Sequence, residues 1–121
     1  MSISVRVVDS TSGRPVADLA VSLYSRQHDA WPVVARSRTD AVGTVGSLSG
    51  PAALPHGAYR LVFETGAYFA ERAVDSLYAE VILSLHYQGD PNDLHLQLQL
   101  SPFSYTTYRG HLPWTVPAEK V

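Results

Sequence analysis

Groups able to move protons or hold a developing negative charge gather toward the end of the chain. His95 lies inside the run Leu94-His95-Leu96-Gln97-Leu98-Gln99-Leu100, and Tyr108, Arg109 and His111 follow within the next dozen positions. An imidazole exchanges protons near neutrality, a guanidinium grips an oxyanion or carbonyl through paired N–H groups, and a phenol donates a hydrogen bond. Together they suit acid–base chemistry, with His95 as general base and His111 as a second acid or base. Arg6 and Arg109 would clamp the anion or carbonyl, and Tyr108 would serve as donor. The chain holds five histidines, which raises the question of a metal. His86 and His95 fall on different predicted strands, and no pair has the i, i+4 helical or close strand spacing of a zinc site, so no metal is expected. His28 and His56 sit in polar or breaker-rich stretches and read as solvated loop residues. Spacing alone also allows His95 to be a strand histidine bonded within its sheet, and Arg6 to be a solvated residue pairing with a carboxylate across strands.

The elements that must position these groups are strands. Leu94, Leu96, Leu98 and Leu100 recur at period two, which predicts a strand with one apolar face and His95 on the other. Ser101-Pro102-Phe103 breaks the run, and a further strand follows from Tyr105 to His111. On that strand Arg109 and His111 point one way and Tyr108 the other, so only one of the two sets faces any single pocket. Upstream, Ile3, Val5 and Val7 alternate with Ser4, Arg6 and Val8, which puts Arg6 opposite the apolar row. Asp9 to Pro15 is dense in turn formers. Further strands are expected over 20–24, 33–38, near Val45, over 59–64 and over 80–88, with one or two helical turns across 65–72. Tyr68-Phe69 and Leu77-Tyr78 are expected to pack the core around that helix. Many short strands and one brief helix predict an all-β sandwich.

The segment Ser-Pro-Phe-Ser-Tyr-Thr-Thr-Tyr-Arg-Gly (101–110) resembles the C-terminal signature of the 5-hydroxyisourate hydrolases, the purine-catabolic members of the transthyretin-like family. The resemblance continues through residues 7–24, Thr-Asp-Ala-Val-Gly (39–43), 59–69 and 74–83, in the family's order. It implies a transthyretin-like (prealbumin-like) two-sheet β-sandwich with one short helix, assembled as a homo-oligomer, a dimer or dimer of dimers, with an active-site channel between subunits. Carried over by position, His95 matches the family's penultimate-strand histidine, and Tyr108, Arg109 and Gly110 match its tail. Arg6 stands where the first-strand histidine belongs, Thr44 replaces the channel arginine, and His111 takes the place of the final serine. Thr44 and Trp114 join Tyr108 and Arg109 as expected substrate-binding residues, and Arg6 joins His95 and His111 as expected catalytic ones. Residues 112–121 extend past the usual family end; Trp114 is the anchor of that tail, which either crosses the channel mouth or covers an apolar patch on its own subunit.

Composition sets outer limits. A chain of 121 residues that is 45% hydrophobic and 17% charged fits one domain, 1–121, with a self-sufficient core. A net charge of −2 without a basic cluster offers no field for a phosphate backbone, so nucleic acid is not an expected partner. No membrane span or signal-type start is visible, and the absence of cysteine suits a reducing compartment, which makes cytoplasmic residence the default. No cofactor is expected. The expected function is a divergent 5-hydroxyisourate hydrolase-like enzyme, hydrolysing a cyclic amide without metal, or performing a related proton transfer, on a small polar or heterocyclic substrate between subunits. One alternative is a genuine 5-hydroxyisourate hydrolase of purine catabolism with a rearranged site. The other is a non-catalytic small-molecule-binding protein on the same fold.

Overall fold

The computed structural model of the protein describes residues 3–48, 54–88 and 94–110. His111, Trp114 and the 112–121 extension lie outside the described residues.

The alternating patterns become two four-stranded sheets. One has the order β4-β1-β7-β8 and the other β3-β2-β5-β6. In chain order the strands are β1 (Ile3–Asp9), β2 (Ala20–Ser25), β3 (Val33–Arg38), β4 (Thr44–Val45), β5 (Gly57–Phe63), β6 (Val81–Tyr87), β7 (Leu94–Leu100) and β8 (Tyr105–Gly110), and α1 (Thr65–Glu71) lies between β5 and β6. Ile3, Val5, Val7, Leu96, Leu98 and Leu100 from the first sheet meet Val21, Leu23, Leu61, Phe63, Val81 and Leu83 from the second in one continuous core. Burial of these period-two rows is the main force holding the layers together, at roughly 1.5–3 kcal/mol per fully buried large side chain.

Within the first sheet β1 runs parallel to β7, while β7 and β8 pair antiparallel. The parallel pair joins the first described strand to the last but one, and its register sets Ser4 beside His95 and Arg6 beside Gln97. Such a pair needs a long crossover, which the whole second sheet supplies.

The segment 39–43 earns its sequence. Thr39 Oγ1 donates to the Val16 carbonyl at 2.7 Å and accepts from the Leu19 N–H at 2.9 Å, in a site where Thr39 is buried. Gly43 has φ +81°, and a Cβ there would stand 2.5 Å from the Val7 carbonyl oxygen. Glycine is therefore required both by conformation and by the close approach to β1.

Helix α1 has no side-chain cap at its start, and it buries Thr65 and Phe69. Its end is a Schellman-type closure: the Val74 N–H reaches the Phe69 carbonyl, the Ala73 N–H reaches Ala70, and Ala73 takes φ 57°. Phe69 joins the core and Tyr68 packs against it, but Leu77 is 64% exposed. The expectation that Leu77 fills the core is thus corrected. Its segment is tied down through the main chain, with the Leu77 N–H on the Pro102 carbonyl at 2.8 Å, and Tyr78 packs edge-on against Tyr105 instead.

Candidate functional site

Register and alternation decide which side chains share the outer face of the β4-β1-β7-β8 sheet. Val5 and Leu96 are paired and both buried in the core, so their neighbours Ser4, Arg6, His95 and Gln97 point away from it. Pairing of Arg6 with Thr44, Arg6 with Gln97, and Gln97 with Tyr108 lays four different polar groups in one row across the sheet. A second row, one pleat along, holds Ser4, His95 and Gly110. The site is thus built from β1, β4, β7 and β8, and each strand contributes because its alternate residues are committed to the core.

His95 is not a solvated residue on this face. It is only 9% exposed, and its Nδ1 is hydrogen-bonded to the Oγ of Ser4, itself 6% exposed. Arg6 is half-buried. Its Nε is shielded from solvent and has no hydrogen-bond partner among the described residues. No carboxylate among the described residues pairs with Arg6 either, so the cross-strand ion-pair reading of Arg6 finds no partner among them. Buried N–H groups of charged side chains are costly to leave unmade, and a guanidinium in this condition is disposed to take an oxygen acceptor.

Thr44 has a narrower role than its hydroxyl suggests. Its Oγ1 donates to Asp40 Oδ2 at 2.9 Å, and its backbone N–H donates to Asp40 Oδ1 at 2.9 Å, with the Val42 N–H on the same oxygen at 3.0 Å. The Thr44 backbone bond, followed by its hydroxyl bond, holds the Asp40 carboxyl below the usual aspartate value. With its proton committed to Asp40, Thr44 Oγ1 meets anything on the outer face as an acceptor. The row across the sheet therefore offers an acceptor at Thr44, a cation at Arg6, an amide at Gln97 and a phenol at Tyr108, which is 46% exposed.

Arg109 does not belong to this row. It pairs with Leu96, whose side chain is in the core, and so projects to the opposite face of β8. There it lines a cavity of about 290 Å³ with His86, Tyr87, Gln88 and Leu94. Of the two sets that alternation separated on the last strand, Tyr108 is the one that shares a face with His95. His111 and Trp114 fall outside the described residues.

Ser4 and Gln97 were not among the residues singled out from sequence. The alternation that placed Arg6 and His95 on outer faces applied to them equally, but nothing in a sequence reveals that the first and penultimate strands are parallel neighbours in this register. No group of three or more His, Cys, Asp or Glu among the described residues is arranged to hold a metal ion. Nor is any helix among them long and apolar enough to cross a membrane.

Comparison with known proteins fits this architecture. The sequence profile of the HIUase/Transthyretin family matches residues 3–110. The 5-hydroxyisourate hydrolase of Salmonella dublin is 31% identical over 108 residues, covering 89% of this chain and 79% of that one. The mouse (Mus musculus) 5-hydroxyisourate hydrolase is 33% identical over 110 residues, covering 89% and 93%. Among solved structures, Klebsiella pneumoniae 5-hydroxyisourate hydrolase superposes with a TM-score of 0.82 at 31% identity, over 92% of this chain and all of that one. Sea bream transthyretin in complex with thyroxine gives a TM-score of 0.85 at 28% identity, over 91% and 95%.

Proposed function

The chain belongs to the HIUase/transthyretin family, and from that premise we propose that it is a hydrolase of the 5-hydroxyisourate hydrolase kind. It opens a small cyclic ureide or amide with water, on the outer face of the β4-β1-β7-β8 sheet. The observation that carries this reading is the gathering of His95, Arg6, Gln97, Thr44 and Tyr108 on one face, although four strands contribute them. In the proposed reaction His95 takes a proton from water as the water oxygen adds to the ring carbonyl. Arg6 holds the oxyanion that forms. The C–N bond then breaks, and the imidazolium returns the proton to the leaving nitrogen, so that the ring opens to a carboxylic acid, which loses its proton to solvent, and a free ureido or amino group. The row beside it matches such a substrate in kind, since alternating N–H and C=O groups meet the Thr44 acceptor and the donors of Gln97 and Tyr108.

A second copy of the chain facing this sheet would supply further walls that exclude water and strengthen these contacts. Arg6 in place of a first-strand histidine, and Thr44 in place of an arginine, argue that the preferred ring differs from hydroxyisourate. The direct test is the ultraviolet decay of freshly generated 5-hydroxyisourate and of a panel of stable cyclic ureides, with wild-type protein and with His95→Asn. Catalysed decay of at least one ring, reduced about a hundredfold or more in the variant, supports the proposal; spontaneous rates throughout would defeat it.

The likeness to a thyroxine-bound transthyretin favours one other reading, a binding protein without turnover. Saturable binding of a ring compound that is never consumed would decide for it.

A further inference from the structure

We propose that Ser4 is the positioning residue for His95: it fixes the imidazole through Nδ1, so that Nε2 is the nitrogen that exchanges protons with bound water. This inference rests on the hydrolase reading above.

Ser4 and His95 are direct partners in the parallel β1–β7 pairing. Their side chains lie on the same face, and the Ser4 Oγ is hydrogen-bonded to His95 Nδ1 in a buried contact. Exposures of 6% for Ser4 and 9% for His95 mean that bulk water cannot readily replace either group. A hydroxyl can donate or accept, and the two choices give opposite chemistry. If Ser4 donated, neutral His95 would carry its proton on Nε2 and would have no lone pair there for water. If Ser4 accepts, the proton sits on Nδ1 and the basic lone pair lies on Nε2. Only the second arrangement serves a general base. It also survives the reaction without rearrangement, because the imidazolium formed when Nε2 takes a proton still donates Nδ1–H to the same serine oxygen.

Ser4 is placed to orient and not to attack. Its hydroxyl is buried at 6% exposure and already engaged with His95 Nδ1, so it is committed to the imidazole and not presented to a substrate. A neutral hydroxyl also differs from a carboxylate in that position, because it fixes the ring without adding negative charge next to Arg6.

The test has two arms on the assembled, full-length protein. Long-range proton–nitrogen NMR of His95 reads which nitrogen bears the proton, and steady-state kinetics on a turned-over ureide reads the consequence. Wild type should show a single Nδ1–H form. Ser4→Ala should show averaged nitrogen shifts and a kcat lower by about ten- to a hundredfold, the scale seen when an imidazole loses its orienting partner, with KM little changed. Ser4→Thr, which keeps the hydroxyl on a β-branched residue suited to a strand, should restore both. Should Ser4→Ala fail to fold, Ser4→Cys offers a near-isosteric but weak partner and should show the same loss of tautomer preference.

An Nε2–H form in the wild type, wild-type kinetics and tautomer in Ser4→Ala, or an acyl adduct on Ser4 found by mass spectrometry would each overturn the assignment. A fixed Nδ1–H form in a protein that turns over no cyclic ureide would instead overturn the hydrolase reading and leave the Ser4 contact standing.

Discussion

Replacing Arg6 with methionine should make the protein more stable and less active. The guanidinium stem is half-buried on the outer face of β1, and its Nε is enclosed without a partner. A buried donor left unmade costs about 1–3 kcal/mol, and no ion pair among the described residues offsets it. Methionine keeps most of the apolar stem and removes the stranded donor. Its own packing will be imperfect, so a net gain of about 1–2 kcal/mol is expected from the lower part of that range. For a domain of this size that corresponds to a rise in Tm of about 4–8 °C. The assay is urea and thermal unfolding of both proteins at one fixed concentration, since association would otherwise move the transition. A bound ring compound should reverse the order, stabilising wild type through Arg6 while leaving Arg6→Met unchanged. An Arg6→Met protein that is equally stable or less stable would show that Arg6 already has a full set of partners in the assembled protein, and the picture of a guanidinium waiting for an oxygen would be wrong.

The fold offers other tests. Thr39→Val keeps the shape but strands the Leu19 N–H and the Val16 carbonyl; a loss of about 2–4 kcal/mol in urea unfolding is expected for two buried backbone groups. Gly43→Ala forces a side chain into φ +81° and against the Val7 carbonyl, so it should cost about 2 kcal/mol or more, and a variant with unaltered Tm would contradict the close approach. Asp40, whose folded-state pKa is lowered, contributes stability that is fully present above its unfolded value of about 3.9 and is lost as pH falls through the lower folded value. The stability gap between wild type and Asp40→Asn should accordingly be constant from pH 5 to 7 and close below pH 4; a gap that widened on acidification would reverse the sign of the argument.

Period two made the strands readable. Every side chain of the Leu94–Leu100 run falls on the predicted side, and Val81, Leu83 and Tyr87 face the core while Ile82, Ser84 and His86 are exposed. Breakers told where strands stop, as Gly43 and Pro102 do. Leu77 misled because hydrophobicity was the only signal available, whereas a backbone bond to Pro102 fixes its segment and leaves the side chain outside. The site was legible in its members more than in its arrangement. Alternation put Arg6 and His95 opposite the apolar rows of their strands, but it left open whether Tyr108 or Arg109 shares a face with them. The convergence of His95, Arg6, Thr44 and Tyr108 depends on β1 lying between β4 and β7, a property of strand order that local pattern does not encode. For the same reason Ser4, an unremarked polar residue in an apolar run, became visible only when its partner across the parallel pair was known. Arg109 shows the converse: the sequence set it next to Tyr108, and the pleat sends it to the other face.

The contact between Ser4 and His95 spans 91 positions of sequence. Every residue from Ser4 to His95 must be made before those two atoms can meet, so no product terminated before His95 can form this contact. Closing so large a ring of chain is also entropically slow, which makes the Ser4–His95 contact a late reporter of folding. Its appearance should lag behind the β2–β3 and β7–β8 pairings, whose partners are nearer in sequence, and acquisition of catalytic competence should be the final kinetic phase after dilution from denaturant.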